Sequence, residues 1–323
     1  MPILQPKKFS IPVYQYNKHL QTIVPSFFRK IEEIDFSRER IATPDGDFLD
    51  LDWSKTGAKK LIIITHGLEG NSTRHYVTGL ANLFNKNGWD ALAWNCRSCS
   101  GEPNLLPRFY HHGDVPDFKL VVEHALSIQK YDEIYLTGFS MGGSMVINYL
   151  GKEGKSVPKE VKKGIAVSVP CDLRACSDLL EENRNRFYNQ RFLKKLKQKV
   201  YQKNERMPND ISIEPFKKGL VKTCRDFDQY YTAPLHGFAD AFDFYENATA
   251  NKYMQNTNRP ILILNALNDP FLSNSSYPVK TAQNHDLIFL ETPTRGGHVG
   301  FVQKNSTATY AELRTLEFCT NQP

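Results

Sequence analysis

An alternation of short apolar runs with helical patterns limits most strongly what this chain can fold into, and it starts at Leu61-Ile62-Ile63-Ile64-Thr65. Such a run has no polar face to give to water, so as a strand it must be covered on both sides. A helical pattern follows through Tyr76, Leu80, Leu83 and Phe84, and the pair then recurs. Strands are predicted over 90–94, 133–139 and 164–169, with helices over 118–128 and 144–150. After a long interruption the rhythm resumes with a strand over 261–265, a short helix near Val279, a strand over 287–290 and a last helix over 307–318. Repeated β-then-α predicts the α/β class, a mostly parallel central sheet with helices on both faces. Upstream, Arg40-Ile41-Ala42-Thr43 and Phe48 to Trp53 flank Pro44-Asp45-Gly46-Asp47, the pattern of a hairpin.

The interruption is predicted to be a helical cap inserted over 172–233, leaving a core of 38–171 with 234–323 and an N-terminal arm, 1–37, packed on that core. Phe192, Leu193, Leu196 and Val200 make an apolar stripe at helical spacing among Lys194, Lys195, Lys197 and Lys199. Residues 174–225 carry 14 Lys/Arg against 6 Asp/Glu, so this one segment more than accounts for the net charge of +6. It could approach an anionic membrane surface by long-range attraction, with a solvated cap surface as the competing reading. Nucleic acid is not indicated, because no reading motif accompanies the charge. The first ten residues lack the apolar core of a signal peptide, and no segment approaches a membrane span, which points to the cytoplasm. Six scattered cysteines do not make a disulfide framework; Cys96 and Cys99 form a C-x-x-C but lack a second ligand pair at zinc spacing.

Gly138-Phe139-Ser140-Met141-Gly142 has the G-x-S-x-G pattern, directly after the predicted strand that ends at Phe139 and before a helical pattern. A serine on so tight a turn needs small neighbours, which Gly138 and Gly142 supply. Its hydroxyl is a weak nucleophile and needs a base, and the base needs a carboxylate to hold its tautomer. Asp269 lies just past the strand ending near Asn265, and His298 lies past the next one within Gly296-Gly297-His298-Val299-Gly300. That places both at the carboxyl edge of the sheet, in the order Ser, acid, His. Asp240 and Asp243 are rival acids. Two backbone N–H groups should hold an oxyanion: that of Met141, and that of Leu68 in His66-Gly67-Leu68-Glu69-Gly70.

These stretches resemble the YheT-like branch of the α/β-hydrolases. So do Asn17 to Thr22, Asn95 to Gly101, Tyr110-His111-His112-Gly113 and Thr232 to Phe238. The resemblance implies the α/β-hydrolase fold with a helical cap, a triad of Ser140, Asp269 and His298, and ester substrates that include lipids. The family usually has Gly where this chain has Ser98. His66, Arg97 and His111 are candidate pocket groups, with structural hydrogen bonding as the reading preferred for Arg97. A serine hydrolase is expected, cleaving short- to medium-chain or lipid-like carboxylic esters through an acyl-enzyme, with no metal or organic cofactor. Two alternatives stay open. One is an acyltransferase using an alcohol acceptor, for which His112 and Asp117 make an H-x4-D interrupted by Gly113 and Pro116. The other is a non-catalytic binding protein on the same scaffold.

Overall fold

The computed structural model describes residues 2–128 and 131–321. Its strands are β1 (Ile3–Leu4), β2 (Ser37–Ala42), β3 (Phe48–Ser54), β4 (Lys60–Thr65), β5 (Asp90–Asn95), β6 (Glu133–Phe139), β7 (Val161–Val167), β8 (Ile261–Leu264) and β9 (Ile288–Glu291). They form one nine-stranded sheet in the order β1-β9-β8-β7-β6-β4-β5-β3-β2. Only the β2–β3 and β3–β5 pairs run antiparallel. The predicted hairpin pairs Ala42 with Phe48, and its turn is closed by the Thr43 N–H donating to the Asp47 carbonyl at 2.9 Å.

Helices of eight or more residues are α1 (Lys18–Phe28), α2 (His75–Lys86), α3 (Val115–Ile128), α4 (Met141–Glu153), α5 (Leu173–Glu181), α6 (Arg186–Arg206), α7 (Ala241–Ala248) and α8 (Tyr310–Thr320). The apolar run in β4 is explained by the two layers they build. Leu61 and Ile63 enter one core with Val121 and Val122 of α3 and Met145 of α4. Ile62 and Ile64 enter the other, with Val77 and Leu80 of α2 and Phe318 of α8. All four are fully buried, and each such side chain contributes roughly 1.5–3 kcal/mol.

Between β7 and β8 the chain is helical as predicted, and helical structure continues past residue 233 into α7. In α6 the stripe Leu193, Leu196 and Val200 is buried, but two lysines of the basic run also turn inward. Lys199 pairs with Glu69 at 2.8 Å, and Lys203 donates to the carbonyls of Leu106 and Arg108. These charges therefore tie α6 to the core and are not part of a solvated face.

The N-terminal arm contains a helix that the sequence reading did not assign. Asn17 caps α1 by accepting from the Leu20 N–H at 2.9 Å, and Pro25 lies inside the helix. Residues Ile3–Leu4 then add an edge strand parallel to β9. No helix among the described residues is long and apolar enough to cross a membrane.

Candidate active site

β6 runs straight into α4, and the residue at the junction is Ser140, with φ 55° and ψ −117°. A non-glycine residue in this region is strained, and the surroundings enforce it. A Cβ on Gly138 would lie 2.0 Å from the carbonyl oxygen of Gly142, and one on Gly142 would lie 2.4 Å from that of Thr65. The small residues expected from the motif are thus demanded by backbone contacts. The turn lifts the Ser140 hydroxyl above the carboxyl end of the sheet.

There Ser140 Oγ lies 2.9 Å from His298 Nε2, and His298 Nδ1 lies 2.8 Å from Asp269 Oδ2. An ionised carboxylate can only accept, so Nδ1 carries the ring proton and Nε2 accepts from the hydroxyl. Asp269 is buried, and its other oxygen accepts from the Phe271 N–H at 2.8 Å. The Phe271 ring packs on the imidazole with centroids 4.3 Å apart. The rival acids are engaged elsewhere: Asp240 caps α7 by accepting from the Asp243 N–H, and the Asp243 carboxylate accepts from the Ala239 N–H and Asn247.

The loop bearing His298 is held from an unexpected side. Gln21 Oε1, on α1, accepts from the Gly296 N–H and from Asn268 Nδ2, both at 2.9 Å. Asn268 Oδ1 accepts from the Gly297 N–H at 3.0 Å, and Thr22 Oγ1 accepts from the His298 N–H at 2.9 Å. From the core, Ser168 Oγ accepts from the Val299 N–H at 2.9 Å. Gly300 is needed because a Cβ there would meet the Gln21 carbonyl oxygen at 2.0 Å. Sequence reasoning missed Gln21, Thr22 and Asn268 as site residues. The only signal was that Gln21 and Thr22 fall in the N-terminal stretch similar to the hydrolase branch.

In the loop after β4, three of four consecutive N–H groups are occupied. Gly67 donates to Tyr76 Oη, Glu69 to Tyr110 Oη and Gly70 to the Gly67 carbonyl. The N–H of Leu68 has no protein partner among the described residues. Met141 opens α4, where first-turn N–H groups have no acceptor within the helix. Leu68 and Ser140 line one cavity, together with Thr22 and Phe27 of α1 and Tyr188 and Phe192 of α6. Phe27 and Phe187 at its edge are 55% and 56% exposed.

His66 and His111 do not line this cavity, which corrects the sequence reading of them as pocket groups; nor does Arg97, for which structural hydrogen bonding was the preferred reading. His66 is buried: its Nδ1–H donates to the Gly67 carbonyl at 2.7 Å, its Nε2 accepts from the Cys96 N–H at 3.1 Å, and burial pushes its pKa down to about 4. It is a neutral brace beneath the loop. Arg97 is buried among Asp117, Asp47 and Asp45, with contacts of 2.7, 3.0 and 3.0 Å, and joins the β2–β3 turn to α3. The following Ser98 has φ 59°, the backbone region that favours the glycine usual in the family. His111 packs edge-on to His236, Phe238 and Phe244, and burial drives its pKa well below the usual value.

His111, Asp114 and His236 bring donor atoms within 4.8 Å of one another. However, Arg108 already grips both Asp114 oxygens at 2.8 Å, and His111 Nδ1 accepts from the Gly113 N–H. Asp114 and one nitrogen of His111 are thus engaged internally, as is His236 Nδ1 with the Thr232 carbonyl at 2.7 Å, while His236 Nε2 is buried without a hydrogen-bond partner among the described residues. The H-x4-D residues form no dyad, since Asp117 is bound to Arg97. The C-x-x-C cysteines are buried free thiols, with Cys99 accepting from Lys199 Nζ at 3.1 Å.

A mostly parallel sheet, with a serine on a strand-to-helix turn and a histidine and an acid following two later strands, defines the α/β-hydrolase class. The chain belongs to this family: residues 60–304 match the family described as alpha/beta hydrolase fold. It is 34% identical to the YheT protein of Escherichia coli (strain K12), over 88% of this chain and 84% of that protein. Phospholipase ABHD3 of Mus musculus is 29% identical over 90% of this chain and 72% of its own length. Monoacylglycerol lipase of Saccharomyces cerevisiae is 29% identical over 84% and 60% respectively. Among solved structures, the Pyrococcus furiosus esterase Pf2001 matches with a TM-score of 0.55 at 17% identity, covering 98% of this chain and 97% of its own. That likeness concerns the fold.

Proposed function

We propose that this chain is a carboxylic ester hydrolase that carries the acyl group transiently on Ser140. The observation behind this reading is the hydrogen-bonded series Ser140–His298–Asp269, with spacings of 2.9 and 2.8 Å, opening onto an apolar-walled cavity. His298 takes the hydroxyl proton as Ser140 Oγ attacks the ester carbonyl, and Asp269 stabilises the imidazolium that forms. The N–H groups of Leu68 and Met141 hold the oxyanion. His298 then protonates the leaving alcohol, and water, activated by the same imidazole, releases the acid. Residues 172–233 act as a cap and α1 as a second wall. The aromatic lining suits an acyl chain, and relatives named as a phospholipase and a monoacylglycerol lipase support lipid-like esters.

The test is labelling with a fluorophosphonate probe. The native protein should be labelled and the heat-denatured protein should not, with peptide mapping placing the adduct on Ser140. An adduct elsewhere, or none on folded protein, rejects the reading.

A second expectation concerns the helix that grips the histidine loop. Gln21→Ala removes one acceptor serving two donors, and misplacing a catalytic group by about 1 Å can cost on the order of a hundredfold. The kcat for a nitrophenyl ester is expected to fall about 10- to 100-fold with little change in the circular dichroism spectrum. An unchanged kcat would show that the loop holds its place without α1.

A further inference from the structure

Building on the reading of Ser140 as the nucleophile, we propose that the ester accepted here carries an anionic group, a phosphate or a carboxylate, held by Arg74, Arg191 and Lys195. All three cations line the same cavity as Ser140. Glu69 is the one carboxylate among the lining residues, and it is already taken. Lys199 pairs with it at 2.8 Å and Tyr110 Oη donates to it at 2.7 Å. The three cations have no acidic partner among the described residues.

What they touch instead is neutral. Lys195 Nζ and Arg74 Nη2 both donate to the backbone carbonyl of Glu69, each at 3.0 Å. Two cationic heads thus share a single acceptor, on the same loop as the Leu68 amide and lining the same cavity. The Arg191 guanidinium lies over the Phe27 ring, 4.3 Å from its centroid, and leaves its N–H donors unused among the described residues. Burial together with the neighbouring Arg74 pulls the pKa values of Arg191 and Lys195 down. Three like charges gathered in a half-buried cavity repel one another and lose hydration, a cost removed when an anion enters. A guanidinium fork and an ammonium are also the donors that bind phosphate and carboxylate with strong, charge-assisted bonds.

The position says which part of the substrate is read. Arg74 stands at the start of α2 and Lys195 and Arg191 on α6, so the anion would sit between core and cap. Its neighbour is the loop that offers the Leu68 N–H to the oxyanion. The acyl chain would follow the aromatic walls while the charged end is held between the two layers.

The experiment uses two pairs of soluble esters, each below its aggregation concentration. One pair is octanoylglycerol and octanoylglycerol phosphate, with the charge on the alcohol side. The other is nitrophenyl octanoate and the mono-nitrophenyl ester of suberic acid, with a carboxylate at the end of the acyl chain. In at least one pair, kcat/KM for the anionic member should exceed that of its neutral counterpart about tenfold or more. Which pair shows it distinguishes a phosphate on the alcohol side from a carboxylate at the end of the acyl chain. In the double variant Arg191→Gln with Lys195→Gln that ratio should fall toward one, mainly through KM. The charge-conserving pair Arg191→Lys with Lys195→Arg should keep most of it.

As a readout independent of turnover, octyl phosphate should slow fluorophosphonate labelling of Ser140 more than octanol does, and this difference should shrink in the Gln variant. Ratios at or below one in the native enzyme, or ratios unchanged in the Gln variant, would overturn the proposal. So would a preference that emerges only on vesicles containing anionic lipid, which would mean recruitment to a surface. Failure of the nucleophile reading looks different: no ester is turned over and Ser140 is not labelled. Failure of the anion proposal alone leaves both intact, without preference for charge.

Discussion

Ser140→Ala is expected to lower kcat on a nitrophenyl ester by on the order of a millionfold, leaving what the oxyanion donors and binding alone can supply. The change should cost little stability. Alanine keeps the same Cβ on the same strained backbone, φ 55°, so the strain enforced by the surrounding glycines is unaltered. The melting temperature should stay close to the native one, which makes loss of rate a chemical statement. Asp269→Asn should cost less, about 10⁴-fold. An amide at that position can donate to His298 Nδ1, which shifts the ring proton to Nε2 and turns a donor toward Ser140. The carboxylate now accepts at 2.8 Å and holds the opposite tautomer. Steady-state kcat measured beside thermal melting for both variants checks this ordering. If Ser140→Ala kept a tenth of the native rate, another nucleophile would be at work.

How far the sequence could be read follows from which interactions are local. β4 was legible because four consecutive buried side chains leave a continuous apolar run, whichever layers they enter. The serine turn was legible because backbone crowding demands glycine at fixed offsets, and Asp269 and His298 because they follow strands that were themselves legible. The grip on His298 was not. Gln21 and Thr22 reach residues some 275 positions away, as the Gln21–Gly296 and Thr22–His298 bonds show. Their polarity looks the same in sequence as that of any exposed helix. Helix α1 does carry apolar residues at helical spacing, Leu20, Ile23, Val24, Phe27 and Phe28, but Pro25 stands inside the stripe and reads in sequence as a helix breaker.

The pocket groups failed for a related reason. His66 lies next to the right loop, and adjacency in sequence suggested access to substrate, whereas Arg97 was read foremost as a structural group. Burial decides the matter: His66 is spent between the Gly67 carbonyl and the Cys96 N–H, and Arg97 among three aspartates. The residues that do face the cavity from α6, Arg191 and Lys195, lay within a basic run whose net charge was visible but whose direction was not. One helix sends Lys199 inward to Glu69 and leaves Lys194 and Lys197 exposed, and only the packed helix separates them.

Gly138→Ala is expected to cost more than about 3 kcal/mol, enough to remove much of the stability of an ordinary domain. The added methyl would lie 2.0 Å from the Gly142 carbonyl oxygen, 2.2 Å from its carbon and 2.5 Å from the Gly143 nitrogen. All three are backbone atoms of the first turn of α4, so no side-chain rotation relieves the clash. Relief requires α4 to move off β6. Helix α4 packs through Met145 and Val146 into the same core as Leu61 and Ile63, so this displacement opens the sheet layer that carries the site. Gly46→Ala is the informative control. Gly46 has φ +84° but nothing within 4 Å of a Cβ, so its substitution costs only backbone strain, about 1–2 kcal/mol. Urea denaturation of the two variants should therefore separate crowding from conformational strain. In Gly138→Ala the Ser140 hydroxyl should also lose its 2.9 Å contact with His298, so fluorophosphonate labelling should fall even in the fraction that remains folded. Equal denaturation midpoints for the two variants would mean that the elbow tolerates a side chain there, and that its geometry does not depend on glycine.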